Sequence, residues 1–185
     1  MIVKDIIVSS LNLLGRRDLA ETLENGVVTD AEGRETVNTL LYCFNAVEDE
    51  LARKYLPLNA REEVASPNGQ FEYVRFKHQP VRINRVTVDG ADAEYELYPK
   101  YMQVNSKRIV VEYDYAPFKK ELENESEYGY QAGENLLALG AVAEYCLING
   151  EIEASELWEK KYRQAIDLAQ KKLPAGGYIM PRRWI

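Results

Sequence analysis

The chain has 185 residues, 46% of them hydrophobic and 29% charged, enough to bury one core but short of two independent domains. No run approaches the roughly 18 uncharged apolar residues that span a bilayer, and the opening Met-Ile-Val-Lys-Asp breaks a signal-peptide core with a charge pair, so a protein made in the cytosol without a membrane segment is expected. The net charge of −7 speaks against free duplex DNA as the main ligand, because neutralising phosphates takes clustered Lys and Arg.

In chain order, apolar residues recur at Ile2, Ile6, Ile7, Leu11 and Leu14, one face of a short amphipathic helix that Gly15 stops. Arg16 to Gly26 is polar and ends in the turn signal Asn25-Gly26. Thr29 with Glu32 then has the form of a capping box. A longer helix follows, its stripe running through Val37, Leu40, Leu41, Phe44, Val47, Leu51 and Tyr55 until Pro57 forbids continuation.

From about 61 to 117 helical spacing gives way to β-branched and aromatic residues, and short strands are predicted at Phe71 to Phe76, Arg82 to Asp89, Glu94 to Tyr98 and Arg108 to Tyr115. Asp89-Gly90 marks a hairpin, and Asn105-Ser106 turns the chain into the last strand. An acidic linker from Lys119 to Tyr130 leads into Leu136 to Ala143, apolar on every side as a helix surrounded by protein must be. A final helix has Ala154, Leu157, Trp158, Tyr162, Ala165, Ile166 and Ala169 on its inner side. The expected fold is therefore α+β and mostly helical: a four-helix bundle, with helices near 2–14, 30–55, 133–149 and 154–172. A small antiparallel β module at about 61–117 is inserted between the second and third helices. One domain covers 1–173, and an extended C-terminal tail covers 174–185.

The search for chemistry returns little. His78 is the only histidine, which excludes His-based triads and multi-His metal sites, and it reads as a solvated loop residue. No phosphate-binding glycine loop occurs. Glu121, Glu123, Glu125 and Glu127 alternate carboxylates, but with polar neighbours they read as a solvated linker. Cys43 and Cys146 read as buried reduced thiols. Tyr95, Tyr98, Tyr101, Tyr113 and Tyr115 suit sheet packing and subunit contacts better than base stacking. No catalytic residue, cofactor or metal is expected. The charge is uneven, since Lys160, Lys161, Arg163, Lys171, Lys172, Arg182 and Arg183 against Glu159 and Asp167 give the end from 159 onward +5 and leave −12 elsewhere. Beyond Gly176-Gly177 come Tyr178, Ile179, Met180, Arg182, Arg183, Trp184 and Ile185, bulky apolar groups with two arginines on a segment too short to bury them, the composition of a docking tail.

The order of parts resembles the head-to-tail connector adaptor family of tailed bacteriophages, the neck-ring or head-completion proteins. The resemblance is carried by the opening helix ending Leu11-Asn-Leu-Leu-Gly15, the long helix ending Leu51-Ala-Arg-Lys-Tyr55, and the strands holding Val81-Arg-Ile-Asn-Arg-Val86 and Ile109-Val-Val-Glu-Tyr-Asp-Tyr115. It is completed by the closing pair Ala138 to Ile148 and Leu157 to Ala169, by Ala143-Glu-Tyr-Cys-Leu-Ile-Asn-Gly150, by Leu157-Trp-Glu-Lys-Lys-Tyr162, and by Pro181-Arg-Arg-Trp-Ile185. It implies a structural, non-enzymatic virion protein of the neck, a homo-oligomeric ring of commonly twelve subunits seated on the portal. Such a ring joins a tail or further neck protein and extends a channel through which DNA passes without specific binding. An acidic wall suits that role by like-charge repulsion. The alternatives are another neck component, a stopper or tail-completion protein, or a nucleic-acid-binding regulator that uses the basic end.

Overall fold

A computed structural model describes residues 1–129 and 132–172, which form five α-helices and seven strands in two antiparallel sheets. This overturns the expected four-helix bundle with a small β module. The extra helix lies in the segment read as polar. Helix α1 (Val3–Leu13) is followed at once by α2 (Arg17–Asn25), which buries Leu19, Ala20 and Leu23. Three apolar residues at i, i+1 and i+4 suffice for two turns that only need to cover α1.

Helix α3 (Ala31–Glu50) starts one residue later than the Thr29 signal implies: Asp30 is the cap, its carboxylate accepting the Gly33 N–H at 2.6 Å. It runs on through a π-helical turn (Leu51–Tyr55) before Pro57. Helix α4 (Glu134–Ile148) is buried on all sides from Leu136 to Ala143, as its sequence requires, packing on α1, α3 and α5 (Ile152–Lys172). Gly140 is the point of closest approach, since a Cβ there would stand 2.7 Å from Val47 Cγ1 and 2.8 Å from Tyr162 Cε2. Two positions of the expected stripes face outward: Leu157 on α5 and Ile2 before α1.

The β region begins earlier than expected and holds more strands. These are β1 (Leu58–Ala65), β2 (Gln70–Glu72), β3 (Pro80–Val88), β4 (Ala91–Asp92), β5 (Tyr95–Leu97), β6 (Tyr101–Val104) and β7 (Arg108–Tyr115). One sheet has the order β1-β7-β3-β4, the other β2-β6-β5. The Asp89-Gly90 turn forms with both residues at positive φ, joining β3 to the two-residue β4. Edge strand β1 was hidden from pattern reading because Glu62 sits on its inner row between Ala60 and Val64. That carboxylate accepts the Tyr113 hydroxyl at 2.8 Å and the Lys77 N–H at 3.2 Å. A charge directed inward guards an otherwise open edge.

Each region has its own core. The helical lobe closes on Ile6, Ile7, Leu11, Leu40, Phe44, Leu51 and Leu137, and the β lobe on Phe71, Phe76, Met102, Ile109, Val111 and Tyr113. Tyr115 packs against both. The outer face of the larger sheet is polar, with Arg61–Glu112, Arg108–Glu63, Arg82–Asp114 and Arg85–Asp92 paired across it.

Candidate interaction surface

The segment returning from β7 to α4 is tied down along its length, so what it positions is fixed. Asn45 of α3 holds Lys120 from both sides, its Nδ2 donating to the Lys120 carbonyl at 3.0 Å and its Oδ1 accepting the Lys120 N–H at 2.6 Å. Three residues on in α3, Glu48 is 1% exposed, and its Oε1 accepts the Ser126 hydroxyl at 2.6 Å and the Glu127 N–H at 3.0 Å, while Oε2 has no partner. Burial holds this carboxyl above the ordinary carboxylate range against the opposing pull of those hydrogen bonds and of Lys120. Glu127 pairs with Lys120 at 2.8 Å, and Tyr128 Oη donates to the Leu56 carbonyl at 2.7 Å. The acidic run is thus no solvated linker throughout: Glu127 is built into the junction between the lobes. Glu48 was missed, although its place one turn beyond Phe44 on the core stripe marks it.

His78 is not a solvated loop residue either. It is half-buried, its ring stacked on Tyr115 with centroids 4.1 Å apart and lying 5.8 Å from that of Phe118, and its Nδ1 is buried with no hydrogen-bond partner. The stack could not be read from sequence, because its partner is 37 positions away and arrives through the pairing of β3 with β7. The thiols of Cys43 and Cys146 are free and buried, and burial pushes them up to about 12 and about 11, which disfavours the thiolate. Among the described residues no group of three or more His, Cys, Asp or Glu side chains could hold a metal ion, and no helix is long and apolar enough to cross a membrane.

What the pinned segment positions is a surface. Phe118 stands out beside α3, and between them lies a cleft of about 440 Å³ that Tyr42, Asp49, Arg53, Gln79 and Lys119 also line. Tyr42 also lines a second cleft along α3 with Ala31 and Ile148, and Phe118 with Gln79 lines a third in the β lobe with Val74. These three adjoining clefts share Tyr42, Phe118 and Gln79 as walls and are together called the trough; along them Val74 is 88% exposed, Tyr42 66% and Phe118 56%. Exposed apolar groups that adjoin in this way mark a contact surface. None of these residues was singled out in the sequence. The available signal was that Tyr42 lies off the α3 stripe, where burial gives no reason for an aromatic ring.

The predicted docking residues Tyr178, Ile179, Met180, Arg182, Arg183, Trp184 and Ile185 lie outside the described residues. Of the basic end, Lys160, Lys161, Arg163 and Lys171 fall on α5, where Arg163 pairs with Glu159 and Lys161 lies 4.0 Å over the Trp158 ring. Compared with known proteins, the chain matches no family model and no curated sequence.

Proposed function

We propose that the chain is a structural subunit of a bacteriophage neck, a head-to-tail adaptor that forms a ring on the portal and attaches to it through the segment from Tyr178 to Ile185. The observation that carries this reading is the trough: exposed apolar side chains strung over two lobes, beside an Asp49–Arg53 pair that is already satisfied, suit assembly better than turnover. The order of elements supports it, because the helix ending near Gly15, the helix reaching Tyr55, the strands over 81–86 and 109–115 and the closing helix pair are those in which the sequence resembles the adaptors. A net charge of −7 is compatible with a channel wall that does not retain DNA. Co-sedimentation with a portal assembly tests the proposal. The full chain is expected to bind and a chain lacking 178–185 to stay in the supernatant with its melting temperature unchanged. Failure of the full chain to bind overturns the adaptor reading, and binding by the truncated chain moves the contact off the tail.

A further inference from the structure

The trough needs an occupant, and an exposed turn of the β lobe offers one. The turn between β5 and β6 presents five consecutive exposed residues, Glu96-Leu97-Tyr98-Pro99-Lys100, with Leu97 58% exposed and the Tyr98 ring held upright by stacking on Tyr101, centroids 4.8 Å apart. Glu96 accepts the Tyr98 hydroxyl at 2.7 Å, which fixes the ring further, and neither Glu94 nor Glu96 has a salt-bridge partner among the described residues. The tip is thus an apolar knob with two unpaired carboxylates on its β5 side and Lys100 on its β6 side. In the trough an apolar floor at Tyr42, Phe118 and Ile148 is bordered by Glu35 and by Arg34 and Lys119, cations with no carboxylate partner among the described residues, whereas Arg53 is already paired with Asp49.

We infer that the trough along α3 receives the β5–β6 tip of a second copy of this chain, Leu97 and Tyr98 packing on Tyr42 and Phe118 while Glu94 and Glu96 face Arg34 and Lys119. Knob and trough are different surfaces of one molecule, so the contact is head-to-tail and closes into a ring only at a suitable rotation. That such a ring serves a neck rests on the reading above; the contact itself does not. An order fixed by two rings and two cations places specificity in the charges and adhesion in the aromatic groups.

Cross-linking decides it in the full-length chain. Chains carrying Leu97→Cys and chains carrying Tyr42→Cys, distinguishable by mass, are mixed at high concentration with a short bismaleimide. The native thiols are buried and do not compete. The expected product is the mixed 97–42 dimer, in severalfold excess over either like pair and over a control in which Val27→Cys, at a more exposed position, replaces Leu97→Cys. Lys119→Glu is expected to cut the mixed product severalfold, and Glu96→Lys in the other chain to restore it. Like pairs only, a yield no higher than the control, or no rescue by the second charge reversal overturns the inference. Preferential linkage of Tyr42→Cys to Trp184→Cys within one chain overturns it in favour of the C-terminal segment as occupant. Portal binding is scored separately: tip-to-trough linkage without portal binding removes the neck role and keeps the contact, and the converse removes only the contact.

Discussion

The two lobes are held together by different means. The helical lobe encloses a continuous apolar core around a helix buried on every side from Leu136 to Ala143, in which one glycine already marks the limit of approach. The β lobe closes over a core of eight buried residues, and much of its order comes from ladder hydrogen bonds, an inward carboxylate at its edge and cross-strand ion pairs. Volume therefore governs the first lobe and pairing the second. Four substitutions test that contrast.

Phe44 is fully buried in the helical core, and Phe44→Ala should lower stability by about 3–5 kcal/mol. Chemical denaturation followed by circular dichroism measures it, and a loss no larger than that of a surface substitution would mean that the α3 stripe is not central. Gly140→Ala is the sharper probe. In an ordinary helix interior the change gains about 1 kcal/mol, but here the new methyl meets Val47 and Tyr162 below 3 Å, and overpacking costs about 1–3 kcal/mol. A net decrease in melting temperature is expected, and an increase would show that the contact has room to relax.

Glu48 sits where the lobes join. Its carboxyl titrates above the ordinary 4.5 when folded because burial disfavours the charged form. Over the interval from that value up to its folded one, the native chain holds the proton more tightly than the unfolded chain. Stability at this site is accordingly full below about pH 4.5 and falls as pH rises through the interval. Glu48→Gln should flatten that part of the stability profile, and thermal melts of both proteins across the range compare the slopes directly; parallel curves would assign the pH dependence elsewhere. The smallest effect belongs to the outer sheet face. Arg61→Ala removes an exposed pair with Glu112 at 3.6 Å and should cost well under about 1 kcal/mol, a difference that high salt abolishes. A salt-independent loss would mean that the arginine stem packs on the sheet.

Where one periodicity governs a segment, the sequence was readable: the α3 stripe, the apolar surround of α4 and the Asp89-Gly90 turn all stand where their residues put them. Where tertiary context decides, it was not. Helix α2 depends on a neighbour to bury three residues, β1 carries a glutamate on its inner row for the sake of Tyr113, and β6 gains its identity from strands on both sides. The same reason hid the trough. Tyr42 and Phe118 are 76 positions apart and share a surface only because Asn45 and Glu48 fasten the returning segment to α3.

That fastening reaches the first residues of the chain. The Val3 and Lys4 N–H groups donate to the carbonyls of Asn124 and Leu122, the Ser126 N–H donates to the Met1 carbonyl, and Ile2 bridges Glu125. During synthesis α1 emerges before the other elements described, yet the carbonyls that satisfy the start of its backbone, and the α4 face that covers its apolar side, follow more than a hundred residues later. High separation in sequence makes such a closure slow. The β lobe can complete its ladders on the ribosome while α1 to α3 still wait with their apolar faces open, an interval in which association with other chains competes with folding.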